Sequence, residues 1–258
     1  MAQRHIILAN YTSSSTDELV SQWQLEKLLD LSENLNARLT VVTAKNCLKG
    51  IQSELQKNHL QIQRPNTGYD FGSWMVGLNH INVSTMDQVL FLNSSILGPF
   101  HFDKNFWEQV FSERYDSFFI SSSLQIREHF QSFFWRVSGS VANNKEFRKL
   151  LEKPLKSNTR ENAIKEKELE FGKKITAIGL KHKVLFPYGS TCHPLENPSL
   201  KGWERMLAGG FPFLKKSLII ETEQPNVKIM NKLKILLTGP DFIFLNEIRN
   251  HYIATQSK

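Results

Sequence analysis

The first ninety-odd residues alternate between short apolar runs that end in polar residues and longer stretches with apolar positions at helical spacing. HIILANY (5–11) is an apolar run closing on polar residues, which suits a strand buried in a parallel sheet. Thr16 stands where a helix cap is needed, and Leu19, Val20, Trp23, Leu28 and Leu35 follow at helical spacing. RLTVVTA (38–44) predicts a second strand, residues 46–57 a short helix and HLQIQ (59–63) a third strand. A helix over about 70–80 and the strand QVLFLN (88–93) complete the series. This βαβαβαβ order predicts a mostly parallel sheet with helices on both faces. Such sheets bind ligands beyond the carboxyl ends of their strands. That directs attention to NYTSS (10–14), AKN (44–46), RPNTGYDFGSW (64–74) and NSSILGPF (93–100).

From about residue 116 the pattern changes. YDSFFISSS and HFQSFFWRV predict strands of an antiparallel or mixed region, followed by helices near 140–152 and 160–178 and the strand HKVLFP (182–187). The tail from Pro198 reads as helical segments broken at Gly209-Gly210, Pro212 and Gly239-Pro240. No repeat appears, and no linker is polar enough to force independent domains.

Composition narrows the class. The chain has 258 residues, 40% hydrophobic and 22% charged, which is ordinary globular usage. No apolar stretch approaches a membrane span, and MAQRHIILAN lacks the apolar core and cleavage site of a signal peptide. The expectation is a soluble, cytoplasmic protein. Cys47 and Cys192 have no metal-ligand spacing and read as ordinary thiols. The net charge of +7 gathers late, in RKLLEKPLKSNTRENAIKEKELEFGKK, FPFLKKSL and KIMNKLK. It reads mainly as the solvated face of helices. The alternatives are contact with anionic membrane headgroups, peripheral at the inner face of a membrane, or with a substrate pyrophosphate. No nucleic-acid-binding signature is present.

Two segments concentrate candidate chemistry. In RPNTGYDFGSWMVGL (64–78), Pro65 ends a strand, Gly68 and Gly72 permit backbone geometry or approach that a β-carbon blocks, and Asp70 stands at a capping position. Taken alone this is a strand-to-helix turn. In VLFLNSSILGPF (89–100), a buried strand delivers Asn93, Ser94 and Ser95 at its polar end. Taken alone this is a loop.

Together, in order and spacing, the two resemble the N-x-G-[YR]-D-x-G-[AS]-W and N-[DS]-S-x-x-G-P elements of the rhamnan-synthesis-F family of polysaccharide-building glycosyltransferases. YDSFFISSS with HFQSFFW (115–135), KELEFGKKITAIGLKHKVLFP (167–187) and ENPSLKGWERMLAGGFPFLKKSLI (196–219) are similar to three further elements of that family. The resemblance spans about residues 5–220. It implies a GT-A-type, Rossmann-like α/β fold over 1–220, with a helical extension over 221–258 packed on the same domain.

The resemblance also implies transfer of a sugar, L-rhamnose in known members that use a dTDP donor, to a glycan or lipid-linked glycan acceptor. A UDP- or GDP-sugar is the rival donor, and a degenerate, non-catalytic nucleotide-sugar-binding protein is the rival outside enzymes. An inverting transfer needs a general base and a stabilised diphosphate leaving group. Family spacing points to Glu168, eleven residues before Gly179, with Glu170 second and Asp116 third. Tyr11, Thr12 and Lys45 are candidates for the base and ribose, and Asn66, Gly68, Tyr69 and Asp70 for the ribose or diphosphate. Asn93, Ser94 and Ser95 occupy the position of the family's diphosphate element, while His129, Gln131 and Trp203 are candidates for the sugar or acceptor. Ser94 replaces an Asp frequent in the family, which removes the obvious ligand for Mg²⁺ or Mn²⁺ and leaves Asp70 as a substitute. Lys215, Lys216 and His193 are then candidates to neutralise the diphosphate instead.

Overall fold

The computed structural model describes residues 2–44, 59–153, 155–156, 159–177, 179–220, 227–237 and 239–256. Lys45, Cys47 and the helix expected over 46–57 lie outside the described residues.

The apolar runs form the predicted parallel strands. β1 (Arg4–Tyr11) pairs in parallel with β2 (Ala37–Ala44) on one side and β4 (Gln88–Asn93) on the other, and β3 (Leu60–Arg64) extends the sheet beyond β2. The chain thus builds outward from β1 to β3, then crosses back over β1 to place β4. That reversal opens a crevice at the carboxyl ends of β1 and β4. β8 (Phe134–Ser138) runs antiparallel to both β4 and β6 (Ser117–Ser123), whose C-terminal end pairs with β7 (His129–Phe130). β9 (His182–Phe186) lies parallel to β6. A two-stranded ribbon joins β5 (Ile96–Leu97) to β10 (Leu214–Lys215), an element the sequence pattern did not predict.

Alternation along the strands divides the core between the two faces. Ile6, Leu8, Leu39, Val41, Leu90 and Leu92 pack under α1 (Ser15–Asn34) and α3 (Lys104–Val110). Ile7, Ala9, Val42, Val89 and Phe91 pack against α2 (Tyr69–Asn79), α5 (Lys145–Glu152) and α7 (Leu169–Ala177). A third cluster collects Leu97, Leu214 and Trp203 with α10 (Ser217–Ile220), α11 (Val227–Leu236) and α12 (Gly239–Gln256). α12 lies along α1 through the Lys27–Asp241 ion pair (2.7 Å) and the stacked rings of Trp23 and Phe244 (4.6 Å).

Three local expectations are corrected. The cap of α1 is Ser14, whose side chain accepts from Asp17 N, while Thr16 lies buried within the first turn, 2.9 Å from His251 Nδ1. Leu19 is exposed, and the buried stripe runs through Val20, Gln24, Leu25, Leu28 and Leu31. The cap of α2 is Gly68 rather than Asp70, because the chain turns into that helix with φ of 75° at Gly68 and 51° at Tyr69.

Candidate functional site

A cleft of about 1080 Å³ opens at the carboxyl edge of the sheet. Its floor is the end of β4. Asn93 is buried there, with Nδ2 donating to Asp70 Oδ2 at 2.7 Å and Oδ1 accepting from Ser95 N at 3.1 Å. Ser95 Oγ also donates to Asn93 Oδ1 and accepts from Lys215 Nζ at 2.8 Å. The β5–β10 ribbon makes this contact, bringing together residues 120 positions apart. Asp70, Asn93, Ser95 and Lys215 therefore form one hydrogen-bonded line across the floor.

The ends of α2, β4 and β1 around this line are held from behind. Trp74 is fully buried and donates from Nε1 to Leu92 O at 2.8 Å, which ties α2 to β4. Arg64 holds the turn before α2, bonding Thr67 O, Thr67 Oγ1, Ser73 Oγ and Tyr69 O. Burial lowers the Arg64 pKa, an effect the Asp70 carboxylate opposes. Ser94 Oγ accepts from Tyr11 N at 3.1 Å, linking the ends of β4 and β1. Next to them, Asp17 accepts from Ser13 N and Oγ and pairs with Lys216 at 2.7 Å. Burial pushes the Asp17 pKa up, but Lys216 and Ser13 together outweigh it and the net shift is downward.

The opposite wall comes from β6 to β8. Gln131 accepts from Ser121 Oγ (2.7 Å) and donates to Asn197 Oδ1 (3.0 Å). His129 is buried with Nδ1 2.7 Å from Arg127 O. Glu168 Oε1 accepts from Ser132 N at 2.8 Å and from Ser132 Oγ at 3.2 Å. The next residue, Phe133, carries Lys215 Nζ over its ring at 4.1 Å. A carboxylate and an ammonium are thereby fixed on consecutive residues of one wall.

The structure brings Tyr11, Asn66, Tyr69, Asp70, Asn93, Ser94, Ser95, His129, Gln131, Glu168, Lys215 and Lys216 into this cleft. Several other candidates stand elsewhere. Asp116 precedes β6 at the amino edge of the sheet, where its carboxylate accepts from Lys181 N at 2.8 Å. Trp203 is a core residue at 5% exposure. Thr12 is buried and does not line the cleft, and Gly68 acts through the turn it permits. His193 is exposed in a turn closed by Glu196, and Glu170 is tied to Arg127 at 2.5 Å. Ser13, Asp17, Ser132, Asn197 and Tyr252 line the cleft without having been singled out from sequence. Ser132 and Asn197 lie inside quoted motifs, so a signal existed; Tyr252, on α12, had none.

A divalent cation in a nucleotide-sugar site is held by carboxylate and phosphate oxygens. Here the floor offers one carboxylate, Asp70, already bonded to Asn93, and an ammonium stands on Ser95 two residues along. Among the described residues no three His, Cys, Asp or Glu side chains form a metal-holding group. The floor therefore pairs a single carboxylate, Asp70, with a neighbouring ammonium, Lys215.

Residues 39–243 match the family described as rhamnan synthesis protein F. Virulence protein VirA of Vibrio anguillarum is 24% identical over 223 residues, covering 70% of this chain and 69% of that protein. An uncharacterized protein of Sinorhizobium fredii, y4gN, is 26% identical over 163 residues, covering 60% of this chain and 42% of its own length. Among solved structures, a glycosyltransferase involved in glycosylation of the major capsid of PBCV-1 superimposes with a TM-score of 0.52. It is 7% identical and covers 90% of this chain and 99% of that one, a likeness of fold.

Proposed function

Since this chain belongs to the rhamnan synthesis protein F family, we propose that it transfers a sugar from a nucleoside-diphosphate donor to a glycan acceptor, with inversion and with Glu168 as general base. The observation that carries the reading is the pairing of Lys215 and Glu168 on Phe133 and Ser132 in a cleft at the sheet's switch point.

In this reading the diphosphate lies along the floor at Asn93, Ser94 and Ser95. Backbone and hydroxyl groups there and the Lys215 ammonium receive the charge that builds on the leaving group. Glu168 takes the proton from the acceptor hydroxyl. The hydroxyl oxygen bonds to the anomeric carbon from one face as the bond to the diphosphate oxygen breaks on the other. The bonding pair leaves with the nucleoside diphosphate. Tyr11 and Tyr69 supply aromatic surface for the base, while Gln131 and His129 face the sugar and acceptor. The family's description, rhamnan synthesis, supports L-rhamnose as the sugar we assign, with dTDP as its proposed carrier and a glycan, free or lipid-linked, as the proposed acceptor.

The donor set supports transfer that proceeds without Mg²⁺ or Mn²⁺. The test is turnover of dTDP-rhamnose, UDP-sugars and GDP-sugars in EDTA, with the anomeric configuration of the product read by NMR. A retained configuration would remove the inverting mechanism and Glu168's role with it. Among the described residues no helix is long and apolar enough to cross a membrane.

A further inference from the structure

Lys167 is a buried ammonium that the reaction above does not use. It is 1% exposed, and Nζ donates to Leu150 O at 3.0 Å and Leu151 O at 2.9 Å, in the last turn of α5. Among the described residues no carboxylate pairs with it. Burial, with Lys153 and Lys174 adding repulsion and Glu166 opposing, lowers its pKa to about 8. The carboxyl end of a helix is a favourable place for a cation. Even so, stability alone gives no reason for a charge here, because an apolar side chain of the same length would fill the space without desolvation.

Its place in the chain supplies the reason. Lys167 belongs to a π-helical segment, Ile164–Glu168, inserted between α6 (Arg160–Ala163) and α7. The next residue is Glu168. π-turns are rare local features that recur at functional sites. Relaxation by one residue into the α-helical register would rotate the side chains by about 100°, carrying Glu168 away from Ser132. We infer that Lys167 is a positioning residue for Glu168: its two bonds to the end of α5 lock the π-turn in the register that aims the neighbouring carboxylate into the cleft. The inference rests on the proposed role of Glu168 and deepens it.

The test is turnover, donor affinity by calorimetry and Tm for Lys167→Met, Glu168→Gln and the double variant. Expected for Lys167→Met is a fall in turnover of roughly 10- to 100-fold, with donor Kd within twofold of the parent. The double variant is expected to be no slower than Glu168→Gln, because a residue acting through Glu168 has nothing left to act on. Lys167→Arg, which keeps a cationic donor for the same carbonyls, is expected to recover part of the loss. If Lys167→Met gives no folded protein, Lys167→Gln takes its place with the same readouts. Parental turnover in Lys167→Met, a matching loss of donor affinity, or a further drop in the double variant would overturn the inference. Full activity in Glu168→Gln overturns the general-base reading and this inference together. Loss in Glu168→Gln with none in Lys167→Met overturns this inference alone.

Discussion

Lys215→Met removes the ammonium that the β5–β10 ribbon holds at Ser95, and the consequence can be worked through. A charge-assisted hydrogen bond contributes about 1.5–3 kcal/mol, and about 1.4 kcal/mol is tenfold in affinity. Nucleoside diphosphate should therefore bind roughly 10- to 150-fold more weakly. The fold should barely register the change. Ser95 Oγ keeps its bond to Asn93 Oδ1. Phe133 loses a cation–π contact of about 0.5–1 kcal/mol and gains a thioether contact of about 0.3–1.5 kcal/mol. Tm should shift by less than about 4 °C. The assay is calorimetric titration of parent and variant, in EDTA, with a nucleoside, its monophosphate and its diphosphate. The loss should grow with the number of phosphates and shrink at high salt. An unchanged diphosphate Kd, or an equal loss for the uncharged nucleoside, would refute the assignment of Lys215 to the phosphates.

Three other outcomes follow. Glu168→Gln should lower turnover by about 10²–10⁴-fold with donor affinity unchanged; parental turnover would exclude it as the base. Arg136→Met should lower Tm by at least about 6 °C, because Arg136 is fully buried and bonded to the carbonyls of Val110, Ser112 and Tyr115, which would be left without a donor. An unchanged Tm would mean that those carbonyls find other partners. Stability should also decline as pH falls, in two stages. Burial lowers the His5 pKa against the pull of Asp87, so the native form takes up its proton at lower pH than the unfolded chain. Stability therefore falls as pH drops from the ordinary value of 6.5 toward the lowered native one. Asp17 and Asp87 are held below the ordinary 3.8 because their hydrogen-bond donors outweigh burial, so their contribution is present above that value and lost as pH falls through the lowered native values. Melting curves from pH 7 to pH 3 read both stages, and a flat profile would contradict the assignment.

The strand skeleton was legible because β1, β2 and β4 are continuous apolar runs that end on polar residues, and both sheet faces are buried. The crevice at Tyr11 and Asn93 followed from their order. Helix starts were less legible. Thr16 and Ser14 are both good caps, and backbone geometry decides between them. Asp70 looked like a cap because Asp caps helices, yet a left-handed turn at Gly68 and Tyr69 does that work and leaves the carboxylate for Asn93. The β5–β10 ribbon was invisible because two-residue strands have no period to detect. With it went the contact between Lys215 and Ser95, though the lysine itself had been singled out. Asp116 failed for a directional reason: it starts a strand in a sheet whose cleft lies at the strand ends. Trp203 and Tyr252 illustrate the remaining limit, since only tertiary packing tells which aromatic ring is core and which reaches a cleft.

The most direct test of the central claim is calorimetric titration of the purified protein with dTDP, UDP and GDP and their sugars, each in EDTA and again with Mn²⁺. The account predicts that one nucleoside diphosphate binds, that binding persists in EDTA, and that Lys215→Met weakens it. Absence of binding to every nucleotide under both conditions would contradict a nucleotide-sugar site in this cleft.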